Sequence, residues 1–198
     1  MDVERFCTLR PFLYHLTFAE NARLIERDGI LRPANAFLSL TDVSQRRTSH
    51  VRSRIRGQEV RVRDQIPLVE KAIAFEPGWT LNRLIKLLNA QVFFWPGTAD
   101  GPMGPGMKHI ARYRMERPIV IRVPSRDIVF GTSRRYVRFS RYNSGAPRFS
   151  GGNPSPRGSR TFLPAVEFEG GIKQVIEVAI ASEVRLPSNM ECLSAQDF

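Results

Sequence analysis

The sequence predicts a single α+β domain, on three observations. Runs with the two-residue alternation of half-buried strands (Phe12–Leu16, Pro118–Val123, Tyr136–Phe139) are interspersed with segments of helical period (Ala19–Asp28, Leu81–Leu88). The 198 residues are 42% hydrophobic and 10% aromatic, enough for one real core across residues 1–198. No apolar run approaches the roughly 20 residues of a membrane span.

The first strand-and-helix unit is the most informative. Phe12–Leu16 alternates and delivers His15 and Thr17 at its end. From Ala19 the period turns helical, with Ala22, Leu24 and Ile25 on one face and Glu20, Arg23, Glu26 and Arg27 on the other, until Asp28-Gly29 stops it. A strand histidine of this kind is commonly a structural residue, so its spacing to other polar groups decides its reading. Ile30–Leu40 fits either a short strand or a helical turn. Thr41–Arg63 is the most basic part of the chain, carrying Arg46, Arg47, Arg52, Arg54, Arg56, Arg61 and Arg63 against only Asp42 and Glu59, and it is expected to be largely exposed and mobile until a ligand orders it.

A helix is expected over Leu68–Phe75, ended by Pro77-Gly78, and a second over Leu81–Leu88, capped by Thr80. Val92–Trp95 reads as a short aromatic strand stopped by Pro96-Gly97, and the glycine- and proline-rich Thr98–Met107 as a loop. Met107–Met115 follows as a helix, Pro118–Val123 as a strand, Ser125–Asp127 as a turn, and Tyr136–Phe139 as another strand. Ser140–Arg160, with Arg141, Arg148, Arg157 and Arg160 among glycines and prolines, is long enough to predict a mobile loop that faces a substrate. Ile172–Ala181 is the strongest strand, broken by Glu177. A carboxylate inside such a strand is costly unless it is paired or opens on a cleft; the alternative is an edge strand with Glu177 on its polar face.

Composition bounds the function. Thirty Lys and Arg against 19 Asp and Glu give a formal charge of +11, mostly from arginine. That excess favours a nucleic acid or another phosphate-bearing ligand, the competing reading being a solubilising surface. Cys7 and Cys192 stand at opposite ends, no secretory h-region is evident, and a reducing cytoplasmic location is expected. The three histidines, His15, His50 and His109, lack metal-ligand spacing, so no structural metal and no membrane association are expected. Neither a Gly-x-Gly-x-x-Gly turn nor a P-loop is present, which excludes a Rossmann-type dinucleotide site.

His15-Leu16-Thr17, then Asn21 and a helix ending at Gly29, resembles the opening NAD-binding segment of the DarT-type ADP-ribosyltransferases. Val43–Arg47 (VSQRR) looks like that family's catalytic-arginine stretch, Val92–Pro96 is similar to its aromatic strand, and Val175–Ile180 resembles the strand bearing its glutamate. The resemblance covers most of the chain in the right order. It departs at the Leu68–Leu88 insertion and at the Gly/Pro loop that replaces the acceptor-contacting segment.

The resemblance implies an ADP-ribosyltransferase-like fold, two packed, mainly antiparallel sheets around an NAD cleft with peripheral helices. It further implies NAD as co-substrate, Glu177 and Arg47 as catalytic residues, and His15, Leu16, Thr17, Asn21, Arg46 and Arg52 around NAD. Arg46 and Arg52 are also open as alternatives to Arg47. Arg141, Arg148 and Arg157 are expected to contact the acceptor. The activity implied is mono-ADP-ribosylation of a macromolecule, a nucleic acid above all, by a toxin or phage-defence effector with an antitoxin partner. Two alternatives stand beside it: an NAD-dependent RNA 2′-phosphotransferase, against which Glu177 argues, and a non-enzymatic basic nucleic-acid-binding module with steep salt dependence.

Overall fold

A computed structural model describes all residues, Met1–Phe198. Its helices are α1 (Val3–Leu9), α2 (Ala19–Asp28), α3 (Leu81–Asn89), α4 (Gly104–Tyr113) and α5 (Ser125–Gly131). The strands are β1 (Phe12–Thr17), β2 (Ile30–Leu31), β3 (Val51–Ile55), β4 (Gln58–Val62), β5 (Ile73–Phe75), β6 (Val92–Thr98) and β7 (Gly101–Pro102), followed by β8 (Ile119–Pro124), β9 (Val137–Ser140), β10 (Ser155–Arg157), β11 (Glu177–Ile180), β12 (Val184–Arg185) and β13 (Glu191–Ser194). The class is α+β.

The main strands pair antiparallel, as the resemblance implies, and seven of them join in one sheet in the order β13-β8-β1-β6-β11-β9 with β7 added to β6. Three two-stranded pairs surround it, of which β5 with β10 is parallel. The large sheet is parted within itself. Strand β6 pairs with β1 only through Phe12↔Gly97, Leu13↔Pro96 and Tyr14↔Trp95, then with β11 through Val178↔Phe94, Ala179↔Phe93 and Ile180↔Val92. From His15 onward β1 keeps its pairing with β8 and has left β6.

The strand period sends alternate residues to opposite faces, and both faces are covered. Leu13, Phe94, Ile121, Val123 and Val178 pack with Phe6 of α1 and Ile128 and Val129 of α5. On the other face two separate clusters form. Tyr14, Trp95 and Val120 meet Ile110 and Tyr113 of α4, while Ala179 and Phe93 meet Leu84, Ile85 and Leu88 of α3.

Several boundaries differ from the sequence reading. Leu68–Phe75 is not a helix: a 3-10 turn, Glu70–Ala72, leads into β5, whose extended form is fixed by β10, a partner remote in sequence. Ile172–Gln174 is also a 3-10 turn, so Glu177 begins its strand rather than interrupting it. Strand β6 runs through Pro96-Gly97, because the Pro96 carbonyl accepts from the Met103 amide (3.0 Å) and the chain doubles back as β7. A Cβ on Gly97 would lie 2.1 Å from the Gly101 carbonyl oxygen, so the turn requires glycine there. Helix α4 starts inside the expected Thr98–Met107 loop, and the expected Ser125–Asp127 turn is the first turn of α5, which buries Ile128 and Val129. The basic Thr41–Arg63 stretch is no free segment: β3 and β4 form a hairpin, and Val60 and Val62 are buried.

Candidate functional site

A cleft of about 270 Å³ opens where β1 leaves β6, walled by α2, the β3–β4 hairpin, the end of α3 and the turn Asn143–Gly145. His15 stands at the parting. Its Nδ1 lies 2.9 Å from the Phe93 carbonyl. A carbonyl only accepts, so Nδ1 carries the proton and Nε2 keeps its lone pair. The side chain thereby satisfies a backbone oxygen at the point where the ladder between the two strands is lost. Burial holds the imidazole below its ordinary pKa, and it is neutral. Leu16 and Thr17 continue along the same wall, both buried.

Asn21 also faces the cleft, with its amide already engaged: Nδ2 donates to the Arg61 carbonyl (2.8 Å) and Oδ1 accepts from the Arg61 amide (2.9 Å). It ties α2 to β4 and so fixes the cleft's shape rather than offering free groups.

Of the three arginines open as alternatives, the structure brings only Arg47 to the cleft. Its Nε donates to the Arg63 carbonyl (2.8 Å) and its Nη1 to Asn89 Oδ1 (2.9 Å), which aims the guanidinium; burial lowers its pKa to about 10, so it stays charged at neutral pH. Arg46 lies on the surface and donates to the carbonyls of Gln65 and Ile66. Arg52 points from β3 into solvent, 70% exposed, beside Glu59 at 3.4 Å. Successive residues of a strand face opposite ways, and a basic run cannot place all its arginines in one site.

Glu177 reaches the cleft from the first residue of β11 and is only 3% exposed. No arginine or lysine forms an ion pair with it. Its Oε2 accepts from the Ser144 amide at 3.1 Å and from the Ser144 hydroxyl, while Oε1 takes neither bond. Burial raises its pKa to about 7, against the opposing effect of these two bonds and of the Arg157 charge. Poised near neutrality, this carboxyl is fit to take a proton.

Arg157, expected in a mobile loop, is instead 1% exposed in β10, with its guanidinium 4.5 Å from the Tyr142 ring. It donates to Ser155 Oγ and to the carbonyls of Pro156 and Asn143. Its place in a parallel strand pair buries what composition marks as loop. Arg141 and Arg148 are exposed and line, with Arg157, a second cavity beyond Asn143.

Three groups in the cleft carry no mark in the sequence. The Arg63 guanidinium lies between the rings of Phe18 (4.3 Å) and Tyr113 (4.1 Å), with Nη1 on Glu116 at 3.0 Å and Nη2 buried without a partner. Trp95 presents a buried, unpartnered Nε1. His109, from α4, packs against Trp95 (4.8 Å) and Tyr113 (5.0 Å), and burial with the nearby Arg63 charge pushes its pKa down to about 3. Nothing local separates Arg63 from the other arginines of its run, and His109 lies within the expected Met107–Met115 helix with no spacing to another polar group that marks it.

The cleft therefore combines buried donors at Arg47, Arg63 and Trp95, neutral imidazoles at His15 and His109, and one carboxyl of raised pKa. Apolar walls from Leu24, Ile25, Val92 and Phe93 complete it. No group of three or more His, Cys, Asp or Glu side chains is placed to hold a metal ion, and no helix is long and apolar enough to cross a membrane. A model of DUF7002, described as a family of unknown function, matches residues 11–190. No curated protein and no solved structure matches the chain.

Proposed function

The chain belongs to the DUF7002 family, and from its cleft we propose that it is an NAD-dependent mono-ADP-ribosyltransferase of ADP-ribosyltransferase-like fold, moving ADP-ribose to a macromolecular acceptor, foremost a nucleic acid. One observation carries this reading: His15 and Thr17 of β1, Arg47 and Glu177, drawn from three places along the chain, line a single cleft opened by the parting of one sheet. A basic nucleic-acid-binding module has no need of a buried carboxyl held near neutrality in such a cleft.

The residues present fit a dinucleotide. Unpartnered Arg63 Nη2 and Trp95 Nε1 are buried donors that a phosphate or amide oxygen would satisfy. The planar guanidinium of Arg47 suits a pyrophosphate oxygen pair. His15 Nε2, kept as an acceptor by the Phe93 carbonyl, is free to accept a hydrogen bond from a ribose hydroxyl. NAD would supply a glycosidic carbon whose bond to nicotinamide breaks, nicotinamide leaving as the neutral base while the acceptor oxygen or nitrogen bonds to that carbon. Glu177 Oε1 would hold a ribose hydroxyl, favour the positive charge that develops and accept the acceptor's proton. Ser144 keeps Oε2 occupied, so the reactive oxygen is the other one.

Incubation with labelled NAD and separate pools of DNA, RNA and protein tests the proposal. Transfer of label to one pool, together with a rise in melting temperature on adding NAD, is the expected result. Absence of transfer, of NAD hydrolysis and of any melting shift, with nucleic acid still bound, would hand the chain to the binding-module reading.

A further inference from the structure

We infer that the second cavity, of about 250 Å³ between α4, the Arg141–Ser150 segment and β10, is a phosphate-binding site built on Arg157 and completed by Lys108, Arg141 and Arg148. Four cations line it and no carboxylate does. None of the four forms an ion pair with an acidic side chain. Arg157 is the built part. At 1% exposure its charge has lost water and gained only neutral acceptors, and its Nε is buried with no partner at all. Glu177 is near enough to act on Arg157 through its charge but forms no ion pair with it. A buried guanidinium without a directly bonded anion is costly, and an anion in the cavity is the partner that lowers the cost. Tyr142, stacked on the guanidinium at 4.5 Å, fixes its plane.

The cavity's chemistry selects phosphate over a carboxylate. Three exposed cations around one fixed guanidinium can neutralise a doubly charged, tetrahedral group from several directions, where a carboxylate needs one fork only. The exposed Phe149 on the rim adds a flat apolar surface beside the anion, suited to a sugar or base attached to the phosphate. The site also touches the cleft. Arg157 Nη2 donates to the Asn143 carbonyl (3.1 Å), Asn143 lines both cavities, and the next residue, Ser144, holds Glu177. A phosphate here lies across one turn of chain from Glu177. Its identification as the acceptor's phosphate rests on the transferase reading; the anion site itself does not.

The test uses the full chain without NAD. Melting temperature is measured in inorganic phosphate against chloride at equal ionic strength, for the native chain and for Arg141→Glu/Arg148→Glu, two exposed positions outside the core. Phosphate is expected to stabilise the native chain, with affinity falling about tenfold or more in the double variant. A short single-stranded oligonucleotide and a free nucleotide monophosphate form the other arms. Binding of the strand at far lower concentration than the monophosphate, with a salt slope lowered by about one per lost contact in the variant, assigns the phosphate to a nucleic acid. Equal stabilisation by all three assigns it to a free phosphate compound. Equal phosphate effects in native chain and double variant, or no advantage over chloride, would overturn the site while leaving NAD binding in the cleft untouched.

Discussion

Ser144 gives both of its donors, the backbone amide at 3.1 Å and the hydroxyl, to one oxygen of Glu177, so that the carboxyl is oriented without being neutralised by a cation. An ion pair would have driven its pKa down; these two bonds only moderate the rise that burial imposes.

Glu177→Gln keeps the shape and an oxygen for Ser144 but removes the base and the charge. Transfer is expected to fall by roughly 10²–10⁴-fold, with NAD-induced stabilisation little changed. A stable variant with full transfer activity would sink the assignment of Glu177.

The same residue sets a pH dependence whose sign is fixed. Its pKa is raised from 4.5 to about 7 in the folded chain, so between these values the native state holds a proton that the unfolded state has released. Stability contributed at low pH is lost as pH rises through 7, by about 3 kcal/mol in all. Denaturation at pH 5 and pH 8 should show Glu177→Gln gaining on the native chain at the higher pH. A constant difference would mean that Glu177 titrates normally.

His109 works in the opposite direction. Its pKa falls from 6.5 to about 3, so its contribution is complete above pH 6.5 and is lost as pH drops, by about 2 kcal/mol at pH 5. His109→Phe keeps a ring between Trp95 and Tyr113 and cannot charge. It should resist acid better than the native chain, and equal acid sensitivity would place the titration elsewhere, at His15 first.

Arg63 is held by two aromatic faces and Glu116. Arg63→Ala is expected to cost about 1–2 kcal/mol of stability, and Arg63→Lys to recover little, because an ammonium cannot lie flat between two rings. Under the proposed function the free Nη2 serves the ligand, so both variants should also lose NAD-induced stabilisation. Rescue by lysine in melting and ligand response alike would reduce Arg63 to a simple charge.

Local pattern determined what local physics controls. Helix α3 lies where its apolar period and Thr80 place it, and the Thr80 hydroxyl accepts from the Arg83 amide. Helix α2 ends at Gly29 in the left-handed conformation that glycine takes most easily, and strands β1, β8 and β9 fall where alternation marks them. Even the anomaly of Glu177 was readable, since an acid among Val, Ile and Ala conflicts with burial in any fold.

Only tertiary structure decided the rest. Strands β5 and β10 exist because segments remote in sequence pair with each other, overriding the helical look of Leu68–Phe75 and the loop composition around Arg157. Which arginine enters the cleft depended on Asn89 and the Arg63 carbonyl, which hold Arg47. The cleft itself is a failure of pairing. Beyond Tyr14 strand β6 has lost β1 and keeps β11, the Phe93 carbonyl freed there is taken up by His15, and α4 packs on one half of the sheet and α3 on the other. No short window of the sequence contains that arrangement, because the paired residues, such as Tyr14 with Trp95 and Phe94 with Val178, are remote from each other along the chain.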